Sequence, residues 1–363
     1  MEFLCGDFSG PGRDQDDARY AKSFDYTERT ELLSFFNLYG FVVVRSIFSP
    51  QECNLTRSAM WSIIESKNAG VHRDDVKTWD LITTTGKYGL SQREPSFDKQ
   101  LVDNRQNKKL LHVLHTLIEN NMDSFESDLN VMVSHDRFTL YRSTVPDNPH
   151  FRTGDRNLHL DLNPWWWVSS SEDVVSGLDS LQYADKQDFI RENNMIVKKM
   201  GRHVQCVLNF NDNMEQDGGT IIVPQFHKYL EEYCSANHYL FKSVPWHHIT
   251  SNENNPIATQ LLNRSIRIPM REGSVLIWDQ TVAHGSAPNF SSNCRYAQFL
   301  KAFPRNNAFC ISTSRLKRRA RALKLELSLS GALDVVSALG WRAFGLDSLE
   351  DFQLIKGTEE EYV

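Results

Sequence analysis

Between about residues 130 and 303 the chain runs as short apolar, β-branched segments separated by turn residues. They read RFTLYRS, RHVQCVLNFND, GGTIIVPQ, RSIRIPM, GSVLIWD and RYAQFLKAF. Runs of this length and composition are strand signals. So many in succession point to a sandwich or barrel rather than an alternating α/β fold. Helical patterns flank them. In YTERTELLSFFNLYGFVVV, Leu32, Leu33, Phe36 and Leu38 fall near helical spacing, Gly40 fits a C-terminal cap, and the FVVV that follows reads as a strand. In SPQECNLTRSAMWSIIE, Ser49 and Glu52 have capping-box spacing, with Pro50 at the first helical position. KKLLHVLHTLIENNM (108–122) sets Leu111, Leu114 and Ile118 on one side of another helix, and the last stretch returns to helix. With no internal repeat and no low-complexity tract, the expectation is a mainly β protein with flanking helices. A flexible N-terminal segment (1–24) precedes a single domain (25–363), which has its β core at about 130–303 and a helical C-terminal extension at 312–355.

The bulk properties narrow the function. A chain of 363 residues with 40% hydrophobic content can bury a large core. Its net charge of −6 gives no global attraction to nucleic acid or anionic membrane. Cys5, Cys53, Cys206, Cys234, Cys294 and Cys310 form no C-x-x-C pair, which suits a reducing compartment better than a disulfide framework. The N-terminus lacks a cationic start with an apolar core, and no run reaches the roughly 18 apolar residues of a membrane span. The expectation is a soluble intracellular, cytoplasmic protein. Nothing in the sequence speaks to its oligomeric state.

The chemistry concentrates in two distant stretches. RNLHLDLNPWWW (156–167) places His159 and Asp161 two apart, so both side chains share one face of a strand. Far downstream, GSVLIWDQTVAHGSAPNFSSNCRYAQFLKAF carries His284 at the end of a strand-like run and Arg295 at the start of the next. Two histidines and one carboxylate on one face of a metal is the arrangement of non-haem iron(II) oxygenases. Arg295 offers a permanently charged planar fork for a carboxylate. Singly, each has an ordinary reading: a chance pair, a structural histidine, a structural ion pair. Their joint order on strand-like segments carries the weight.

The motifs around them extend the pattern. FFNLYGFVVVRSIFSPQEC (35–53), HLDL (159–162), DGGTIIVPQFHK (217–228), the set His284, Gly285, Ser286, Asn289 and Arg295, and GWRAFGLDSL (340–349) follow in order. In these the chain resembles the phytanoyl-CoA dioxygenase family of iron(II)- and 2-oxoglutarate-dependent oxygenases. It departs from the family's usual Pro-Gly-Ser-His, having Pro224-Gln225-Phe226-His227 instead. The resemblance implies a double-stranded β-helix (jelly roll, cupin-like) core, with His159, Asp161 and His284 holding Fe(II). It implies that Arg295 binds the distal carboxylate of 2-oxoglutarate, with Ser286 beside it, and that O2 is the second cosubstrate and ascorbate a supporting reductant. The reaction implied is hydroxylation of an unactivated C–H bond of a small-molecule or lipid-like substrate, with succinate and CO2 released. Halogenating relatives lack the carboxylate, so Asp161 favours hydroxylation, with desaturation and ring closure open.

Other features divide between functional and structural readings. On HVQCVLNFND, Gln205 and Val207 share a face, making Gln205 the polar candidate toward the cosubstrate. The link 164–202 is longer than the family's usual one and reads as a lid or a surface embellishment. Trp165, Trp166 and Trp167, with Asn163, are candidate substrate-pocket residues, although strand alternation would point Trp166 away from its neighbours and core packing is the simpler reading. The adjacent His247 and His248 point apart on a strand, against a second metal site. Six basic residues between Arg315 and Lys324 would circle the exposed side of a helix whose Leu316, Ala320, Leu323 and Leu327 face inward. A solvated face is the simpler reading there; contact with phosphate or nucleic acid is the rival. Two further rivals stand for the whole chain: the same chemistry on a nucleic acid or protein, and a non-catalytic jelly-roll binding module.

Overall fold

The computed structural model describes residues 10–85, 89–90, 96–120, 129–146, 148–155, 157–169, 196–251, 256–305 and 313–349. Most of the long link expected at 164–202, the first nine residues and the end of the C-terminal extension lie outside the described residues.

The N-terminal signals form as read. Helix α1 (Arg29–Tyr39) ends at Gly40, whose left-handed φ of 80° lets its N–H close on the Phe36 carbonyl. The chain then enters β2 (Phe41–Val44), buried throughout. Helix α2 (Pro50–Lys67) starts with a complete capping box: Glu52 N–H donates to Ser49 Oγ at 3.3 Å, and Ser49 N–H donates to Glu52 Oε2 at 2.7 Å. Helices α3 (Lys99–Arg105) and α4 (Lys108–Glu119) follow, the latter burying Leu111, Leu114 and Ile118 against the main core. Leu38 departs from its expected place, being exposed while Phe35 packs inside.

Two sheets carry the centre of the molecule. The larger contains β1 (Ser23–Phe24), β2, β10 (Val275–Asp279), β6 (Val204–Asn209), β12 (Arg295–Pro304) and β3 (Val131–Val133) in that spatial order, with β4 (Phe138–Tyr141) pairing the other half of β12. The smaller runs β8 (His247–His248), β5 (His159–Leu160), β11 (His284–Ala287), β7 (Gly219–Ile222), β9 (Ile266–Arg267). Apart from β1 against β2, every pair is antiparallel. Further helices among the described residues are α5 (Pro164–Ser169), α6 (Leu230–Ala236), α7 (Pro256–Arg264), α8 (Thr313–Leu329) and α9 (Ala338–Ala343). Helix exceeds strand among the described residues, so the class is mixed helix and sheet, and the mainly β expectation is corrected.

Two other expectations change. Residues 10–24 are part of the fold: β1 pairs with β2, Tyr20 and Phe24 are buried, and Arg271 forms an ion pair with Asp14. A short segment with few apolar residues reads as a tail, but a strand edge and ion pairs from Asp14 and Asp16 to Arg271 and from Arg13 to Glu215 fix it. On α8, Ala320, Leu323 and Leu327 face inward as expected, yet Arg319 joins them. Its guanidinium donates to the Phe344 and Val133 carbonyls, at 2.6 and 2.9 Å. Those acceptors come from distant chain, so helical periodicity could not reveal them.

Candidate active site

The smaller sheet aligns three histidines. His159 on β5 pairs in register with His248 on one side and with His284 on β11 on the other. Directly opposed residues of an antiparallel pair point to the same face, so the rings stand in a row. Their centroids are 5.8 Å apart for His159–His248 and 4.5 Å for His159–His284. Asp161, two residues past His159, returns to that face. One ligand atom each from His159, Asp161 and His284 lie within 4.8 Å of one another, and this is the metal-capable group found among the described residues. His247 turns inward to the Tyr233 hydroxyl at 2.7 Å, leaving His248 exposed, so the two do not converge on one point.

The donor chemistry fits a divalent metal. His159 Nδ1 sits 2.7 Å from the Asn157 carbonyl, and His284 Nδ1 3.0 Å from the Val282 carbonyl. A carbonyl can only accept, so both Nδ1 atoms carry a proton, and Nε2 is the atom each ring has left to offer a metal. Burial, then the neighbouring His159, holds His284 down at about 3, so it is neutral at neutral pH. Burial alone would raise the Asp161 carboxyl, but the Lys301 ammonium and the Gln205 amide hold it well below the usual carboxylate range. A neutral His284 and an ionised Asp161 are therefore in the forms that bind a metal.

Facing this row across a cavity of about 180 Å³ is the larger sheet. Arg295 begins β12 and is 1% exposed. Its Nη2 donates to Thr220 Oγ1 at 3.2 Å, and its guanidinium lies 5.1 Å from the Tyr141 ring. Among the described residues it has no carboxylate partner, and its Nε has no hydrogen-bond partner. A buried cation in that state is costly unless an anion joins it. Ser286 and Tyr141 place their hydroxyls together at 3.2 Å on the same cavity wall. The cavity is thus lined both by a buried guanidinium with two nearby hydroxyls and by the His159–Asp161–His284 group.

Gln205 lines the cavity as expected, but its amide is committed to Asp161 at 2.8 Å rather than to open space. Asn163 and the three tryptophans are not among the described residues that line it. They sit on α5, a helix rather than a strand. Asn163 Oδ1 accepts from the Trp165 and Trp166 N–H groups, and its Nδ2 donates to the Lys242 and Val244 carbonyls. Asn before Pro is a helix-start signal, an N-cap ahead of a proline at the first position. Trp165 and Trp167 pack on a second apolar cluster, where Trp165 Nε1 donates to the Cys234 carbonyl at 3.1 Å. Asn163, Trp165 and Trp167 thus have structural contacts here.

Sequence reasoning missed Tyr141, Thr220, Trp278, Lys301 and Asn157. Lys301 was the most accessible: odd positions from Arg295 along one strand share a face, so Lys301 points where Arg295 does. Asn157 had no signal at all; its carbonyl sets His159 while its side chain grips the Ser286 backbone on β11, accepting at 2.6 Å and donating at 2.8 Å.

The family profile described as phytanoyl-CoA dioxygenase (PhyH) matches residues 36–297, well over half of the chain. The chain belongs to the phytanoyl-CoA dioxygenase family. It is accordingly an enzyme of the dioxygenase class. A Dictyostelium discoideum protein carrying the same family name is 35% identical over 295 residues, 80% of this chain and 79% of its own. Two solved structures share the fold at low identity. A hypothetical protein from Escherichia coli, JW0805, has a TM-score of 0.58 at 14% identity, covering 92% of this chain and 86% of its own. GlcNAc Inducible Gene 2 (DUF1479) from Candida albicans has a TM-score of 0.57 at 13% identity, covering 89% of this chain and 78% of its own. Against the family's usual Pro-Gly-Ser-His, this phytanoyl-CoA dioxygenase relative places Gln225 at φ 66°, a left-handed position that glycine would take without strain.

Proposed function

We propose that this chain is an iron(II)- and 2-oxoglutarate-dependent dioxygenase that hydroxylates an unactivated C–H bond of a small-molecule or lipid-like substrate. His159, Asp161 and His284 would hold the iron, and the two facing sheets are read as a double-stranded β-helix. Bound iron, with 2-oxoglutarate and O2, supplies the oxidation, releasing succinate and CO2. The chain's own residues bind and orient. Arg295 takes the distal carboxylate of 2-oxoglutarate through its charged fork, with the Ser286 and Tyr141 hydroxyls beside it. The Asn157 and Val282 carbonyls fix both imidazoles, and Trp278, its ring 4.9 Å from His284, screens one side of the metal position from water.

The observation that carries this reading is the pairing, in one cavity, of a His-Asp-His group with a buried arginine that has no anionic partner among the described residues. Anaerobic addition of Fe(II) and then 2-oxoglutarate should produce a metal-to-ligand charge-transfer absorption. His159→Ala should abolish metal binding. Arg295→Ala should weaken 2-oxoglutarate on the order of a hundredfold, the scale for losing one partner of a buried charged pair, while sparing the metal. The absence of absorption in the unaltered protein refutes the reading.

A further inference from the structure

Two donors converge on one oxygen of Asp161. Gln205 Nε2 donates to Oδ2 at 2.8 Å and Lys301 Nζ at 3.2 Å, whereas Oδ1 lies 3.7 Å from His159 Nε2. The donors come from a row on the larger sheet, where Trp278, Gln205 and Lys301 pair in register across β10, β6 and β12. Trp278 Nε1 donates to Gln205 Oε1 at 3.0 Å. An indole can only donate, so the amide oxygen must face Trp278 and the amide NH2 must face Asp161. The Lys301 side chain is 6% exposed, and Gln280 Nε2 holds the Asp161 backbone carbonyl at 3.0 Å. Each part of the carboxylate except Oδ1 is therefore held.

We infer that Gln205 and Lys301 are positioning residues that keep Asp161 a one-oxygen metal ligand. The inference rests on the iron reading above and deepens it. A carboxylate can ligate through one oxygen or two. Three protein atoms on a six-coordinate metal leave three positions, two for a chelating 2-oxo acid and one for oxygen. A second Asp161 oxygen would take one of them. Two charge-assisted hydrogen bonds on Oδ2 oppose that change, and outer-shell partners of this kind commonly set ligand geometry.

The test uses the whole chain loaded with Co(II), with metal affinity measured by chelator competition and 2-oxoglutarate affinity by the cobalt absorption. Infrared difference spectra report whether Asp161 binds through one oxygen or two. In Lys301→Met/Gln205→Leu, Co(II) should bind as tightly as in the unaltered protein or up to tenfold tighter, while 2-oxoglutarate binds at least tenfold weaker and the carboxylate bands shift to the two-oxygen pattern. Lys301→Gln, which retains a donor, should recover most of the 2-oxoglutarate affinity. If the double variant does not fold, Lys301→Met and Gln205→Leu are read singly by the same ratio of affinities. Metal and 2-oxoglutarate affinities falling together, or neither changing, overturns the inference while leaving the iron reading intact. Failure of the unaltered protein to bind 2-oxoglutarate through the metal overturns both.

Discussion

Gly285 stands between His284 and Ser286 with an ordinary backbone conformation, so its constraint is space. A Cβ there would overlap the Asn157 side-chain oxygen outright and stand 3.0 Å from the Asn157 carbonyl oxygen, the atom that orients His159. To regain ordinary van der Waals separation the Asn157 amide must retreat by about 1 Å. That retreat breaks its two bonds to the Ser286 backbone, at 2.6 and 2.8 Å. Stranding part-buried polar groups costs about 1–3 kcal/mol each, so Gly285→Ala should cost about 2–4 kcal/mol. Asn157→Ala loses the same bonds but leaves room for the new methyl group, so the second substitution should add little. A double-mutant cycle by urea denaturation should then give a coupling of about 1–3 kcal/mol between the two positions. Metal affinity should follow the same pattern, since both changes disturb the carbonyl that holds His159 Nδ1. Additivity within about 0.5 kcal/mol would refute the argument that Asn157 is what forbids a side chain at 285.

His135 is buried between Phe97 and Phe344, its ring 5.3 Å from the first and 4.7 Å from the second, and neither nitrogen has a hydrogen-bond partner among the described residues. His135→Phe should therefore stabilise the protein by about 1 kcal/mol at pH 7, measured by urea denaturation; clear destabilisation would show that the ring is needed for more than its shape. Burial holds His135 well below its ordinary 6.5 and His203 down to about 3. The unfolded chain takes up these protons below pH 6.5 and the folded chain does not, so stability falls with pH from 6.5 downward, by about 1.4 kcal/mol per unit for each histidine. A flat urea midpoint between pH 6.5 and 5 in metal-free protein would contradict this, and His135→Phe should reduce the slope. Asn163→Ala should cost about 1–2 kcal/mol as a lost helix cap while leaving 2-oxoglutarate affinity unchanged; a change in that affinity would put α5 at the site.

The local signals were legible because they are chemical facts about neighbours in sequence. The Ser49–Glu52 capping box, the Gly40 cap, the β-branched FVVV and the two-residue spacing of His159 and Asp161 need no knowledge of the rest of the chain. The distant HGS and Arg295 segment could be joined to them because two histidines, a carboxylate and an arginine in that order along strand-like segments form a recognisable donor set. Misplacements arose where the deciding partner is remote. Arg319 is buried because carbonyls of Phe344 and Val133 await it, and residues 10–24 are fixed by β2 and Arg271. Asn157 and Lys301 matter only because β5 meets β11 and because β12 crosses opposite Asp161. Strand periodicity also misled at RNLHLDLNPWWW, where Asn163 and Pro164 start a helix immediately after the candidate ligands and carry Trp165 and Trp167 into the second cluster. The sequence by itself determined which side chains could hold a metal and a carboxylate. Only the tertiary structure decided which oxygen of Asp161 faces the histidines and which groups hold it there, because register between sheets is set by packing across the core, and no residue carries that information alone.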